Sequence, residues 1–452
     1  MLKRLRFTNF KTWTEADLTL GRITGLFGAN SSGKTSIIQF LLMLKQTKDA
    51  TDRAISLELN GPLVELGTIN DALYAHDDTR KIKLMLAFER ETELALADPS
   101  GKHKTNLAQS KNFEIEAEIG VHQKAPRAIK LSYKLGDWIF SLAPRNGDDS
   151  QFELSASGPD PNFRFVRTTG RPWQLPRPVK TYAFPDQVRT YFQNAGFLSD
   201  LEAAYEAELN HIFYLGPLRE YPKRDYLWAR SSPSDVGQRG EKAIDAILAA
   251  TEAGEVRNLK PKATLKSFQE MIAYWLREMG LVHDFRIKEI AEGSNRWQAI
   301  LQTRAKTSEV MLTDVGFGVS QVLPVLILLY YVPEGSTVVL EQPEIHLHPS
   351  AQAGLADAII NVATHRRVQV IIESHSEHLL LRLQRRIAEG LIPADDTKLY
   401  FCNARDGESV VDPLRLDLFG NIENWPKNFM GDAFGEAAAA EKARLKKLKA
   451  GT

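Results

Sequence analysis

The octapeptide GANSSGKT, Gly28 to Thr35, combines two glycines with a lysine and a hydroxyl residue. Glycines let a loop curl so that its N–H groups face one point, and a following helix adds a positive dipole end. The spacing matches G-x-x-x-x-G-K-[ST] between a predicted strand, RITGLFG, and a predicted buried helix, TSIIQFLLML. These features predict a phosphate-binding loop, in which Lys34 contacts the outer phosphates of a nucleotide and Thr35 ligates Mg²⁺. The loop residues expected at the nucleotide are Gly28, Ala29, Asn30, Ser31, Ser32, Gly33, Lys34, Thr35 and Ser36.

A second polar cluster lies in VVLEQPEIHLHP, which begins at Val338. The segment TVVLEQ predicts a buried strand, and ligands of α/β sheets bind beyond the carboxyl ends of such strands. Glu341 is therefore expected to hold Mg²⁺ together with Thr35. Glu344 lies just past the strand, where it is expected to orient or deprotonate an attacking water.

The histidines of that segment allow another interpretation. His346 and His348 are two apart, a spacing that on a strand puts two imidazoles on one side, where they could bind zinc. Pro349 and the predicted helix after it favour a loop, so Mg²⁺ on the carboxylates is the expected metal.

Several elements must position these residues. The C-terminal third alternates strand and helix, as in STVVLEQ, VQVIIES and KLYFC with helices between them, which predicts a parallel sheet covered by helices. Upstream, KIKLMLAFE, FEIEAEI, IKLSYKL and WIFSL alternate polar and apolar residues, which predicts antiparallel strands. The expected fold class is α/β: a P-loop NTPase with a parallel sheet core, an antiparallel β lobe and an inserted mixed α/β region.

Composition restricts the remaining classes. Lys plus Arg and Asp plus Glu number 57 each, so the overall charge gives no sign of a polyanionic partner. The lone cysteine, Cys402, excludes an internal disulfide and fits a reducing cytoplasm. The longest apolar run, VLPVLILLYYV from Val322, is about half the length needed to cross a bilayer, so we expect a buried helix, no membrane association and a cytoplasmic location.

Four motifs in one order carry a family resemblance: GANSSGKT, LTDVGFGVSQVLPVL, VVLEQPEIHLHP and VIIESHSEHLL. Together they resemble the ABC-type ATPase head of the overcoming-lysogenization-defect (OLD) and SMC-like class. The resemblance implies an ATP- and Mg²⁺-dependent head that hydrolyses ATP to ADP and phosphate and dimerises around nucleotide. The resemblance also implies that Lys34, Glu344 and His375 act in catalysis, with His375 as the switch histidine. It further implies that four signature residues reach ATP held by a second protomer, namely Gly316, Gly318, Ser320 and Gln321.

Other segments extend or depart from that resemblance. FTNFKTW is similar to the first strand and turn of the class, which places Lys11 and Thr12 beside the nucleotide. Glu341 stands where the class usually has aspartate, and Glu65 and Asn70 are the candidates for a missing Q-loop glutamine. YLGPLRE, VGQRGE and NIENWP resemble a branch of bacterial phage-defence ATPases, the Septu-like ATPases.

The resemblance sets expectations for architecture. We expect an N-terminal part of the head at 1–95 and antiparallel strands with an inserted region at 96–260. The C-terminal lobe is expected at 261–412 and a tail at 413–452, with no sustained heptads and no TOPRIM nuclease. The expected partners are a second copy or a higher homo-oligomer and a separate effector, either a nuclease or a toxin.

Two functional alternatives stay open. One is a nucleotide-gated scaffold with negligible turnover, and the other is a DNA-repair-type ATPase acting on DNA. The second depends on a basic, aromatic stretch that could contact phosphates and stack on bases, or could equally be a packed loop. Its residues are Arg219, Tyr221, Arg224, Tyr226, Trp228 and Arg230.

Overall fold

The structure is a computed structural model that describes residues 1–99, 106–145, 148–170, 174–426, 439–440 and 442–445. The strands are β1 (Leu2–Phe10), β2 (Trp13–Thr19), β3 (Ile23–Gly28), β4 (Ile82–Ala97), β5 (Asn106–His122), β6 (Ala125–Leu135), β7 (Trp138–Arg145), β8 (Asp148–Ser157), β9 (Ile212–Leu215), β10 (Tyr226–Leu227), β11 (Val256–Arg257), β12 (Lys266–Ser267), β13 (Asp284–Glu289), β14 (Arg296–Gln302), β15 (Val310–Met311), β16 (Thr337–Glu341), β17 (Gln369–Glu373), β18 (Thr397–Arg405) and β19 (Glu408–Leu414). The α-helices are α1 (Lys34–Asp49), α2 (Ile69–Ala72), α3 (Asp186–Tyr191), α4 (Leu198–Asn210), α5 (Ala243–Glu252), α6 (Phe268–Glu278), α7 (Phe317–Tyr331), α8 (Pro349–His365) and α9 (Glu377–Ala388).

A mostly parallel sheet forms the centre of the molecule, in the order β19-β18-β3-β17-β16-β9. All neighbours from β18 to β9 pair in parallel, and β19 is antiparallel at the edge. The predicted parallel sheet is thus confirmed. Because β3, β16 and β17 are adjacent, their carboxyl ends bring the loop after Gly28 next to Glu341 and Glu373.

Both faces of this sheet are buried, which explains why its strands are continuously apolar. Along β16, Val338 and Leu340 pack into a cluster with helices α5 to α9. Val339 points the other way, into a cluster with α1, α4 and the antiparallel sheet. The alternation follows from the two-residue period of a strand, and it yields a layered α/β architecture.

The antiparallel sheet has the order β2-β1-β4-β5-β6-β7-β8. The four segments predicted to form antiparallel strands lie in β4, β5, β6 and β7, so that prediction is confirmed. Helix α1 packs against this sheet, with the Phe40 ring stacked on the Phe7 ring at 4.3 Å between centroids. Apolar residues on nearly every side of α1 thus reflect its burial between two sheets.

Between β9 and β16 the chain forms helices and short strands. Strand β14 pairs with β10, β13 and β15, and α5 and α6 pack on α7. Helix α6 begins with a capping box between Ser267 and Glu270, whose contacts satisfy two amides at the helix start. Among the described residues the longest helix, α8, has 17 residues, so no coiled coil interrupts the head there.

Two expected boundaries fall inside strands. Strand β4 runs across position 95 and β19 runs across position 412, so neither position separates two structural units. The four-part division remains a prediction about sequence segments. In the tail, 439–440 and 442–445 are helical, and 427–438 lie outside the described residues. Within the described chain no helix is both long and apolar enough to span a membrane.

Candidate functional site

The glycine loop connects β3 to α1 at the carboxyl edge of the parallel sheet. Gly28 has φ 143° and Gly33 has φ 89°, conformations that side chains rarely tolerate. A Cβ on Gly28 would lie 2.1 Å from the carbonyl oxygen of Cys402, and one on Gly33 would lie 2.8 Å from Nε1 of Trp13. Both glycines are therefore required by backbone conformation and by space.

The start of α1 is open to an anion. Among the described residues no side chain caps this helix, and of the first-turn N–H groups only that of Ser36 has a backbone acceptor outside the helix, the Gly33 carbonyl at 3.0 Å. Lys34 is buried over the loop, where its Nζ donates to the carbonyl oxygens of Gly28 at 3.0 Å and Ala29 at 2.7 Å. Burial lowers the pKa of Lys34, against the opposing influence of Glu373. The loop thus has the amides, dipole end and cation that bind phosphate.

Thr35 Oγ1 lies 3.0 Å from both carboxylate oxygens of Glu373, at the end of β17. Glu341 ends the adjacent strand at the same register position, and the hydroxyl of Tyr214 donates to Glu341 Oε1 at 2.8 Å. Burial, followed by the charge of Glu373, raises the pKa of Glu341 to about 7. The structure therefore brings together Thr35 and Glu341, the two predicted metal ligands, and adds Glu373.

Glu344 returns toward β17 after a turn in which Gln342 has φ 43°. Its Oε1 accepts hydrogen bonds from Ser374 Oγ and from the backbone N–H of His375, both at 2.8 Å. Its Oε2 has no hydrogen-bond partner among the described residues, and the residue is only 7% exposed. Burial raises the pKa of this carboxyl. One oxygen is thus fixed by the sheet and the other is free to accept a bond from a small molecule.

Arg219 lies next to these carboxylates, in the loop after β9. The residue is 5% exposed, and its Nη2 donates to the carbonyl oxygen of Glu341 at 3.3 Å. In the described part of the chain its Nε and Nη1 have no partner. Burial lowers the pKa of the guanidinium to about 10, with Tyr214 and Glu341 opposing the shift. A buried cation with unsatisfied donors marks this position as part of the site.

His375 connects the acidic cluster to the glycine loop. Its backbone N–H binds Glu344, and partial desolvation followed by the charge of Lys34 lowers the pKa of its imidazole. The expected neighbours Lys11 and Thr12 occupy the turn between β1 and β2. Lys11 Nζ donates to Gln39 on α1 at 2.7 Å, and Thr12 Oγ1 bonds to Ser409 at 2.7 Å.

The signature residues form the start of α7. Gly316 is the N-cap, and Ser320 Oγ donates to the Phe317 carbonyl at 2.9 Å. A Cβ on Gly318 would lie 3.1 Å from the carbonyl oxygen of His346, so this helix start abuts the loop after β16. Gln321 is buried. These contacts place the signature segment beside the histidine loop rather than against the glycine loop of the same chain.

The two histidines lie in the loop between β16 and α8, where His348 caps the helix and His346 packs near the start of α7. His348 is the N-cap of α8, where its Nδ1 accepts from the backbone N–H of Ser350. The His346 ring lies 5.8 Å from the Phe317 ring. Both histidines thus lie in the segment between β16 and α8, and not on the strand itself.

The basic aromatic stretch is only partly packed: Arg219 and Trp228 are buried, but Tyr221, Arg224 and Arg230 are exposed. Trp228 is buried and its Nε1 donates to the Ser231 carbonyl at 3.0 Å. Arg224 pairs with Asp314 at 3.0 Å, and Arg230 pairs with Glu252. Tyr221 stays exposed beside Phe317, with ring centroids 5.6 Å apart. These contacts favour a connecting loop over a surface that stacks on bases.

Glu65 and Asn70, the candidates for the missing Q-loop residue, are both exposed. The loop that contains Glu65 is instead fixed by Gln46 of α1, which sequence reasoning missed. Gln46 Nε2 donates to the carbonyls of Glu58 and Val64, and Oε1 accepts from the N–H of Val64. Glu373 was also missed, although it ends the predicted strand VQVIIES, and the rule that selected Glu341 would have selected it too.

The chain is similar in part to several known proteins. An OLD nuclease of Thermus scotoductus is 23% identical over 390 residues, 83% of this chain and 59% of that protein. The chain thus spans well under two thirds of that relative. Among solved structures, an Smc head bound to the C-winged helix domain of ScpA has 14% identity and a TM-score of 0.46, covering 92% of this chain and 98% of that one. The SMC head domain from Thermotoga maritima has 11% identity and a TM-score of 0.42, covering 92% and 99%.

Two family models match in sequence. Residues 392–439 match a protein family of unknown function, DUF3696. Residues 23–382 match the family described as AAA domain, putative AbiEii toxin, Type IV TA system, a span that covers the glycine loop and the acidic cluster. The chain therefore belongs to this AAA-domain family.

Proposed function

We propose that this protein binds and hydrolyses ATP with Mg²⁺, dimerises around the nucleotide and controls a separate effector in defence against phage. One observation carries the ATPase part of the proposal. The hydroxyl of Thr35, in the phosphate-binding loop, lies 3.0 Å from a carboxylate at the end of a neighbouring parallel strand. A phosphate loop facing buried acids at a sheet edge is the arrangement that phosphoryl transfer needs.

The residues present fit a magnesium ion. The hydroxyl of Thr35 and the carboxylate of Glu341 are the hard oxygen donors that Mg²⁺ prefers, and they lie beside the loop that would hold the phosphates. When bound, Mg²⁺ supplies charge neutralisation for the phosphate oxygens. Lys34 adds a second positive charge once its Nζ exchanges the loop carbonyls for phosphate oxygens.

Glu344 and His375 then position the water that attacks the γ-phosphate. The free Oε2 of Glu344 accepts a hydrogen bond from the attacking water and orients it, while Ser374 and His375 hold Oε1 in place. Because the His375 N–H binds Glu344 directly, the γ-phosphate sensor and the water-orienting acid move together. Hydrolysis in this scheme depends on position more than on covalent chemistry.

The signature segment supports a dimer. Gly316, Gly318 and Ser320 lie at the start of α7, next to the exposed rings of Phe317 and Tyr221. An apolar exposed patch around a helix N-terminus is suited to covering a nucleotide bound by another copy. Each ATP would then be enclosed by the loop of one protomer and the signature segment of its partner.

The effector and the defence role rest on resemblance. The description of the matching family names an AbiEii toxin and a Type IV TA system, and the relative from Thermus scotoductus is an OLD nuclease. We infer that an equivalent activity is carried by a separate nuclease or toxin, with DNA or RNA among the candidate triggers. The dimerised head would transmit its nucleotide state to that partner.

The experiment compares wild-type protein with Lys34→Ala and Glu344→Gln. Nucleotide binding is followed with a fluorescent ATP analogue, oligomeric state by light scattering, and hydrolysis in single turnover. Glu344→Gln should accumulate as an ATP-loaded dimer without hydrolysis, and Lys34→Ala should stay monomeric. Wild-type turnover in both variants would contradict the ATPase assignment, and hydrolysis by a strict monomer would contradict the composite site.

A scaffold with negligible turnover is the second candidate. The burial of Glu344 favours it, because burial raises the pKa of this carboxyl and so disfavours the charged form that would act as a base. Single-turnover hydrolysis by the wild-type dimer separates the two candidates. A scaffold would retain intact ATP for hours, whereas an ATPase would release ADP within minutes.

A further inference from the structure

Glu373 is a buried acid at the end of an otherwise apolar strand. Strand β17 lies between β3 and β16, and Glu373 pairs in register with Leu26 on one side and Glu341 on the other. Neighbouring strands are about 4.8 Å apart, and side chains at equal register lie on the same face. Glu373 is 2% exposed and Glu341 is 5% exposed. Two carboxylates are therefore buried side by side.

The partners of these two carboxylates are neutral. Glu373 accepts hydrogen bonds from the hydroxyl of Thr35 and from the side chain of Gln342. Glu341 accepts a hydrogen bond from the hydroxyl of Tyr214. A hydroxyl has one proton, so Thr35 can donate to only one of the two oxygens that it faces. In the described part of the chain, Lys34 donates to loop carbonyls instead of forming an ion pair with either acid.

Lys34 and Arg219 lie near these acids, but within the described residues neither donates to a carboxylate oxygen of Glu341 or Glu373. Adjacent buried carboxylates without a direct ion-pair partner are unfavourable, because each is desolvated and each repels the other. A divalent cation would offset both costs, and Mg²⁺ takes oxygen ligands of this kind. We propose that Glu373 is a second carboxylate of the magnesium site, so that Thr35, Glu341 and Glu373 together hold the cation directly or through its waters. This inference rests on the proposed ATP-binding function and deepens it.

A purely structural role gives a different expectation. If Glu373 only tied α1 to β17 through Thr35, its replacement would lower stability and leave cation binding unchanged. Glu373→Gln keeps an oxygen acceptor for Thr35 while removing the charge. In the cation-bound role this variant loses affinity for the metal, and the cation-free protein is no less stable because a buried repulsion is removed.

The test uses full-length protein and Mn²⁺ as a spin probe. Mn²⁺ binding is titrated by electron paramagnetic resonance with a saturating non-hydrolysable ATP analogue, and thermal unfolding is measured without cation. Glu373→Gln should weaken Mn²⁺ binding by at least about tenfold, the range expected for carboxylates around a metal. Glu377→Gln removes an exposed acid four residues further along and should bind Mn²⁺ as the wild type does.

Each outcome decides between these roles. Wild-type Mn²⁺ affinity in Glu373→Gln, with or without a lower unfolding temperature, would overturn the assignment. If the glutamine variant does not fold, Glu373→Ser also removes the carboxylate while keeping a polar side chain, and unchanged Mn²⁺ affinity there would overturn it equally. Failure of the proposed function looks different: wild-type protein and Lys34→Ala would then bind the metal-free nucleotide analogue equally weakly.

Discussion

The backbone N–H of His375 donates a hydrogen bond of 2.8 Å to the carboxylate of Glu344. This bond links the carboxyl ends of β16 and β17, and the Ser374 hydroxyl makes a second bond to the same oxygen. The acid expected to orient water is therefore held by the strand that carries the expected phosphate sensor. One carboxylate oxygen of Glu344 therefore contributes to stability, and the other is available for catalysis, so substitutions can change the two properties independently.

Glu344→Gln and Glu344→Ala should differ in stability but agree in activity. The amide oxygen of Gln can still accept from Ser374 and His375, whereas Ala leaves both donors unsatisfied, which costs about 1–3 kcal/mol. Both variants should slow single-turnover hydrolysis by roughly 10²- to 10⁴-fold, the usual contribution of a general base. Urea denaturation and quenched-flow hydrolysis measure the two effects. Equal stability of the two variants would contradict the structural part of this prediction.

Gly28→Ala should destabilise the protein by about 2–5 kcal/mol, because backbone strain and a steric clash add. The new Cβ would lie 2.1 Å from the Cys402 carbonyl oxygen. Gly170→Ala is the matched control, since Gly170 also has positive φ, at 151°, but none of the residues that the structure describes lies within 4 Å of its would-be Cβ. Denaturant unfolding of both variants isolates the clash, and equal losses would show that no clash occurs.

Lys34→Met should reduce affinity for metal-free ATP at least about tenfold while changing the unfolding temperature little. The buried ammonium is removed with its desolvation cost, although two loop carbonyls lose a donor. Lys45→Met is the control on the same helix: Lys45 donates to the Leu209 carbonyl at 3.0 Å, away from the loop. It should lower stability and leave the affinity unchanged, as measured with a fluorescent nucleotide.

Arg219→Met should lower ATP turnover without lowering the stability of the nucleotide-free protein. Burial lowers the pKa of this guanidinium to about 10, so folding disfavours its charged form. Below about pH 10 the guanidinium is charged in both states, so its burial lowers the free energy of unfolding. This loss of stability shrinks as the pH rises above that pKa, where the folded state releases the proton first. Calorimetry at neutral pH checks this, and a drop of several degrees would show that Arg219 is an essential counter-ion.

Cys402 should be unreactive in the native protein. Burial raises the pKa of its thiol to about 12, so at about pH 8 the thiolate fraction is on the order of 10⁻⁴. Because this is the single cysteine, thiol labelling reports opening of the β18 region without ambiguity. ATP should slow the labelling, since ligand binding stabilises the folded state. Labelling within seconds, or a rate insensitive to ATP, would contradict this placement.

The sequence by itself determined the elements and the chemistry of single motifs. Alternating residues from Lys81 to Leu142 predicted the antiparallel strands, and the apolar runs around Leu26, Leu340 and Ile372 predicted buried parallel strands. GANSSGKT predicted its own loop, because glycine spacing and a helix start act over a few residues. Hydrophobic periodicity and the conformational freedom of glycine depend only on neighbouring residues, so they can be recognised without the tertiary structure.

Only the tertiary structure decided which distant residues share one site. Glu373 lies 338 positions from Thr35, and the two meet because β17 pairs with β3. Arg219 is a buried cation because the loop after β9 folds over Glu341, although its sequence setting resembles an exposed basic stretch. Strand order and burial depend on packing across the whole chain, and these decide whether a charge faces water, a partner or a ligand.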